Sequence, residues 1–170
     1  MNEIQIREAT IADASLIADL SRKTFYDSFA ADNTRENMDK FMNETFTRER
    51  LIEEVGAAGN IFLLAEQNGE VVGYARLRET ANPLAAGEAI EIARIYAVQN
   101  SIGKGVGSAL MHRCIDVAKQ KQVPVIWLGV WEHNQKAIAF YTKWGFERFS
   151  EHVFMVGDDA QTDWLMKKSL

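Results

Sequence analysis

Gly103, Gly105 and Gly107, alternating with Lys104 and Val106, are the residues whose types and spacing point most directly to chemistry. They follow a stretch, 90–98, in which β-branched and aromatic residues recur with the period of a strand. That period places Ile90, Ile92, Arg94, Tyr96 and Val98 on one face and Glu91, Ala93, Ile95 and Ala97 on the other. After the glycines the apolar spacing turns helical at Val106, Leu110, Cys114 and Val117. Glycines at a strand-to-helix corner leave backbone N–H groups uncovered, with the positive end of the helix dipole behind them. Such a corner cradles a phosphate or pyrophosphate.

The spacing excludes the common nucleotide fingerprints. A dinucleotide site needs G-x-G-x-x-G, and counting from Gly103 or Gly105 the last place falls on Ser108 or Leu110. A P-loop needs its lysine after the glycines, whereas Lys104 lies among them. Taken alone, the run is also compatible with a glycine turn that holds no ligand.

The elements that must position this corner can be read in order. Residues 3–8 alternate as a first strand, and Thr10 with Asp13 forms a capping-box pattern for a helix through Ile11, Leu16, Ile17, Leu20, Thr24 and Phe25 to Phe29. Thr34 and Thr47 open two short helices, the second with Leu51, Ile52 and Val55 inward and stopped by Gly56. Asn68-Gly69 joins two strands as a hairpin. Glu79 to Glu88, with Pro83 and Gly87, reads as a loop before the strand that leads into the glycines. VIWLGVW after Pro124 is a strand whose nearly continuous apolar run predicts burial on both faces. Asn134 caps a helix ending near Lys143 and Gly145, and 146–155 and 163–168 supply two last strands. The order is that of an α/β sandwich with a mixed sheet in a single domain, 1–170.

Composition narrows the function. A 170-residue chain with 47% apolar and 25% charged residues has the composition of an ordinary globular domain. Its net charge of −5 has the wrong sign for a protein that neutralises nucleic-acid phosphates, and favours a cationic small substrate. Cys114 is the single cysteine and falls in a helical apolar pattern, as a small core residue does. His112, His133 and His152 show no metal-ligand spacing, so no metal is expected. Without a signal-like start or a bilayer-length apolar run, the expectation is a cytoplasmic protein without membrane contact.

The run I-G-K-G-V-G-S-A-L resembles the acetyl-CoA-binding motif of the GNAT superfamily of N-acetyltransferases, [QR]-x-x-G-x-[GA]. Gly105 and Gly107 fill the last two places, and Ile102 stands where the motif opens with Gln or Arg. That departure removes a side-chain contact and leaves the backbone cradle intact. A second block, NQKAIAFYTKWGF from Asn134 to Phe146, is similar to the downstream motif N-x-x-[AS]-x-x-[FL]-Y-x-x-x-G-F. The segments FYDSF, IARIY, WLGVW and Gly157–Asp163 (GDDAQTD) further resemble the bacterial spermidine/spermine N-acetyltransferases.

The resemblance implies the GNAT fold: about seven strands in a mixed sheet flanked by helices, with splayed parallel central strands. It implies acetyl-CoA as cosubstrate, a polyamine acceptor and often a homodimer. Ile95, Tyr96 and Ala97 would orient the pantetheine arm, and Ile102, Gly103, Lys104, Gly105, Val106, Gly107 and Ser108 would hold the pyrophosphate. Asn134, Lys136, Ala137, Tyr141 and Lys143 would complete the cofactor site, and Tyr141 would also be the general acid for the departing thiolate. Glu91 is the candidate base and Glu132 the second. Asp27, Asp32, Glu36 and Glu88 are candidate carboxylates for the distal charges of a polyamine. Rival readings are an amino acid, peptide N-terminus or aminoglycoside as acceptor, or a non-catalytic acyl-CoA-binding regulator. Retention of Asn134 and Tyr141 argues against the regulator.

Overall fold

The computed structural model describes residues 3–81 and 88–170. Seven strands form one sheet in the order β1-β2-β3-β4-β5-β7-β6. They are β1 (Gln5–Glu8), β2 (Asn60–Gln67), β3 (Glu70–Ala81), β4 (Glu88–Ala97), β5 (Val125–Trp131), β6 (Glu147–Val156) and β7 (Asp159–Ser169). Every neighbouring pair is antiparallel except β4 and β5. Helices α4 (Val106–Gln120) and α5 (Gln135–Lys143) pack on one face, and α1 (Ala14–Phe29), α2 (Arg35–Lys40) and α3 (Arg48–Glu54) on the other. The expected GNAT architecture is what the chain adopts.

The local signals account for most of the boundaries. The Thr10 N–H donates to the Asp13 carboxylate at 2.9 Å, closing the N-terminal box, although the first turn is a 3-10 turn and α1 proper begins at Ala14. Thr34 and Thr47 cap α2 and α3 through the N–H groups of Asn37 and Arg50. Asn68 and Gly69 both take positive φ, as a two-residue hairpin turn requires. The six residues of α2 run on into a π-helical turn, Phe41–Thr45, whose carbonyl ends are held by the Arg22 guanidinium.

Four expectations need correcting. Ile11 and Leu16 are not on the inward stripe of α1, being 74% and 44% exposed, because the 3-10 turn shifts the phase of the helix that follows. Of the loop expected over Glu79–Glu88, the first residues belong to β3, which runs to Ala81, and Glu88 opens β4, while Pro83 and Gly87 lie outside the described residues. The faces of β4 also differ. Leu77 pairs with Ile92 but Arg76 pairs with Arg94, so Ala93 is an extra residue, a β-bulge that reverses the alternation after it. Ile90 and Ile92 therefore face α4 together with Ile95 and Ala97, whereas Arg94 and Tyr96 face α1–α3 with Glu91. Finally, β5 is buried on one face only: Ile126, Leu128 and Val130 pack under α4, while Trp127 and Trp131 are half-buried and Gly129 is exposed on the other side. The helices of that side stop short of it.

Gly73 on β3 sets how closely α4 approaches the sheet. A Cβ there would meet the Tyr96 carbonyl oxygen and Val106 Cγ1, both at 2.7 Å, and Leu110 Cδ1 at 3.3 Å. Both obstructions belong to the strand and helix that flank the glycine corner. Gly73→Ala is expected to destabilise the fold by about 1–3 kcal/mol, the usual range for forcing a methyl into a packed core. Urea unfolding should show this as a lower midpoint at an unchanged slope, and a variant as stable as the parent would remove the constraint.

Candidate active site

Pairing between the two parallel strands covers only Ala89–Ile92 against Val125–Leu128. Beyond that, β4 continues to Ala97 paired only with β3, and β5 to Trp131 paired only with β7. The strands splay at their C-terminal ends, and the backbone of 93–97 that faces β5 has no ladder partner among the described residues. Ile95, Tyr96 and Ala97 lie on this free edge, as a peptide-like ligand arm would require.

The glycine corner stands at the mouth of the gap. Gly103 and Gly105 have φ of +79° and +90°, left-handed values that favour glycine, and Gly105 is the N-cap of α4. The first intrahelical acceptor is the Gly105 carbonyl, bonded by Ala109 N–H at 3.0 Å. The N–H groups of Val106, Gly107 and Ser108 thus have no partner within the helix. A Cβ on Gly103 would meet nothing, and one on Gly105 only Ile4 Cδ1 at 4.0 Å, so the approach to these donors is open. The residues fit a pyrophosphate. Lys104 and Ser108 are exposed beside the donors, and Ile102 is 57% exposed where a polar motif residue would reach the ligand.

Helix α5 closes the cofactor side. Phe140 lies against Gly107, 3.5 Å from where its Cβ would be. Asn134 caps the helix, its side-chain oxygen accepting from Ala137 N–H at 3.3 Å, which leaves its amide N–H groups available. Lys136 and Lys143 are on the exposed side of the same helix. Tyr141 is buried, in edge-on contact with Phe146 at 6.0 Å between ring centres, and its hydroxyl has no hydrogen-bond partner among the described residues. Burial, with a smaller contribution from Cys114, pushes its phenol well above the usual range. It therefore stays protonated at any working pH. Cys114 is itself inert, its thiol pushed up to about 12 by burial.

The other face of the gap is open and carries the acids. Glu91 lies in the paired stretch, below the splay, and its carboxylate accepts hydrogen bonds from Arg78 at 2.8 and 2.6 Å. Glu132 follows β5, with its N–H bonded to the Thr162 carbonyl. Of the four acids considered for distal charges, Asp27 is ion-paired with Lys23 at 2.8 Å, while Asp32 and Glu36 are exposed on the α1–α2 side. Glu88 is at the opposite end of β4, roughly 30 Å of strand from Ala97. The structure does not bring it to the gap.

Asp163 was not singled out from the sequence, yet the fold places it here. It pairs across strands with Trp131 of β5 and His152 of β6, so all three point to the open face. Its Oδ2 lies 3.7 Å from where a Cβ of Gly129 would be and 3.7 Å from His152 Nε2. Burial raises its pKa and the neighbouring His152 acts the other way. Tyr96, whose phenol is pushed far up mainly by burial, is influenced in turn by Tyr74, Tyr141 and Asp163. The sequence signal was a carboxylate next to the apolar triplet Trp164-Leu165-Met166 of the closing strand.

The block Gly157–Asp163 also anchors the open side. The Asp158 N–H donates to Asn37 Oδ1 at 3.1 Å, and Asp158 pairs with Lys40 of α2. Gln161 donates to Asn33 Oδ1 at 2.6 Å. These contacts fasten the β6–β7 hairpin to the α1–α2 segment, beside an aromatic group in which Trp131 meets Phe29 at 6.2 Å and His133 at 5.2 Å. Among the described residues no helix is long and apolar enough to cross a membrane, and no cluster of His, Cys, Asp and Glu could hold a metal ion.

Known proteins share this arrangement. The model of the acetyltransferase (GNAT) family matches residues 22–146. An uncharacterised N-acetyltransferase in the pepI 3′ region of Lactobacillus delbrueckii subsp. lactis is 38% identical, over 100% of this chain and 99% of its own. A spermidine N(1)-acetyltransferase of Thermoplasma acidophilum is 24% identical over 97% of this chain and 96% of its own. The fold is similar to that of a PaiA N-acetyltransferase from Thermoplasma acidophilum solved with coenzyme A, with a TM-score of 0.79 at 22% identity over 99% of both chains. The matched segment runs from α1 to the end of the Tyr141 helix and so takes in the splayed strands and the glycine corner. The chain belongs to the acetyltransferase (GNAT) family and is an acetyl-CoA-dependent N-acetyltransferase.

Proposed function

We propose that this enzyme transfers the acetyl group of acetyl-CoA directly to a primary amine of a polyamine such as spermidine or spermine. The observation that carries the acceptor is the open face of the gap, where the Asp163 carboxylate stands beside Trp131 in a wall with Phe29 and His133. A carboxylate next to aromatic faces is a setting for an ammonium group. The similarity to a spermidine acetyltransferase and the net charge of −5 support the same acceptor.

The chain's own groups divide the work. Backbone N–H groups of Val106, Gly107 and Ser108 and the Asn134 side chain hold the donor, the free edge of Ile95–Ala97 orients it, and Tyr141 protonates the sulfur that leaves. Direct transfer is favoured because the single thiol, Cys114, is buried and held protonated, so it is a poor acyl carrier.

Tyr141→Phe retains the ring and deletes the proton. Turnover should fall by ~10²–10⁴-fold, while coenzyme A still raises the melting temperature as it does for the parent. An unchanged rate with chemistry rate-limiting would return Tyr141 to a packing role.

Spermidine should be a better acceptor than putrescine, which is shorter and carries one charge fewer. Exposed charge pairs are screened beyond a Debye length of ~10 Å at 0.1 M salt, so added salt should raise the KM for spermidine more than that for acetyl-CoA. A thiol-release assay over spermidine, spermine, putrescine, lysine peptides and glutamate checks this. Equal use of putrescine and spermidine would remove the polyamine and leave the acetyltransferase.

A further inference from the structure

Taking the enzyme as the amine acetyltransferase proposed above, the geometry points to Asp163 as the residue that binds the reacting amine and accepts its proton, with His152 positioning it. Three placements carry this. Asp163 lies on β7 opposite Trp131, at the end of β5 that no longer pairs with β4. Trp131 is its partner on β5, and next along the same face is Gly129, exposed and without a side chain; a Cβ there would be 3.7 Å from Oδ2, so the carboxylate reaches towards the gap over Gly129. His152 stands on the solvent side of the carboxylate. The Asp163 side chain is 17% exposed and that of His152 46%, with 3.7 Å between Oδ2 and Nε2, an ion-pair separation rather than a hydrogen bond.

Glu91, the acid expected from the sequence, is differently placed. Its carboxylate is engaged by Arg78 and it sits where β4 and β5 are still paired. Asp163 has no arginine or lysine partner among the described residues. The titratable groups that bear on it are His152 from β6 and Tyr96 from β4. β5 offers Gly129 and Trp131, which do not titrate, and Glu132 follows at its end. A carboxylate raised by burial and lacking a fixed cation is suited to an ammonium ligand and then to proton transfer.

The step balances with the groups present. Asp163 takes one proton from the bound ammonium and releases it to solvent, leaving a neutral amine. The nitrogen lone pair forms the bond to the carbonyl carbon, which makes the remaining N–H acidic, and Asp163 takes that second proton. The carbon–sulfur bond breaks with its electron pair on sulfur, and Tyr141 protonates the thiolate. Proton return from Asp163 to Tyr141 through solvent restores the enzyme.

The test is the kcat profile against pH at saturating amine for the parent, Asp163→Asn and His152→Gln. In the parent, activity should be lost as pH falls and Asp163 becomes protonated. Asp163→Asn should lower kcat by ~10²-fold or more at neutral pH and abolish this acid limb, while coenzyme A still raises the melting temperature. His152→Gln should keep most of the activity and move the limb to higher pH, because the charged imidazole lowers the pKa of Asp163 and glutamine does not. An Asp163→Asn enzyme with the parent's rate and acid limb overturns the proposal. So does a His152→Gln limb that stays in place, which keeps the test decisive if the asparagine variant misfolds. Failure of the polyamine reading looks different: another amine is then preferred, and Asp163→Asn still abolishes the limb with that amine.

Discussion

A parallel strand pair that stops pairing halfway is the constraint on which the rest of the molecule depends. Leaving backbone N–H and C=O groups unpaired inside a domain is costly, so a sheet opens only where other contacts hold it apart. Here the opening coincides with the bulge at Ala93, next to the last paired position, Ile92 with Leu128. A bulge bends its strand and increases the local twist. It turns β4 away from β5 and at the same step moves Arg94 to the α1–α3 face. Geometry and charge change together at one residue.

That charge is what fixes the bent end. Arg94 makes paired hydrogen bonds to Glu54 of α3 at 2.8 Å each, and Arg76, its partner on β3, reaches Glu54 at 3.2 Å and Asn60 at 2.8 Å. Burial lowers the Arg76 pKa to about 10, with Arg94 adding to the effect. For Arg94 burial also opposes the charge, but the hydrogen bonds to Glu54 outweigh it and its pKa is raised. Two buried guanidiniums sharing one carboxylate form an arrangement in which losing Glu54 would leave both uncompensated. On the opposite face the absence of a side chain at Gly73 brings Val106 against the same strand. Beyond the bulge, β4 is therefore held from both sides, by an ion network and by close packing, and its edge is left free.

Much of this was legible in the sequence, because the signals were local. Helix caps at Thr34, Thr47 and Asn134, the Asn68-Gly69 turn and the glycines at 103–107 each specify backbone shape within a few residues, and each appears where expected. The element order, and with it the sandwich, followed. What was not legible depends on register. A one-residue bulge is invisible to a period-two pattern, yet it decides which of Arg94 and Ile95 faces which layer. Asp163 was missed for a related reason. Its neighbours Gly129 and Trp131 of β5 and His152 of β6 come from two other strands and meet it only through pairing. The apolar run of β5 misled in the other direction: Trp127 and Trp131 fill a face that the helices do not cover.

The Ile102 departure gains meaning from the same geometry. A glutamine or arginine at that place would add a side-chain contact to an anion already facing backbone donors. With Ile102 exposed, an anion bound at this corner would rely on the N–H groups at the start of α4, on the helix dipole and on the open approach over Gly103 and Gly105. Donors of this kind are fixed by the fold and cost no side-chain entropy to order. Their placement depends instead on where the helix begins, and that is set by the left-handed Gly105 cap and by the contact of Val106 and Leu110 with Gly73. The proposed anion site and the packing of the core thus depend on one constraint, the position at which α4 begins.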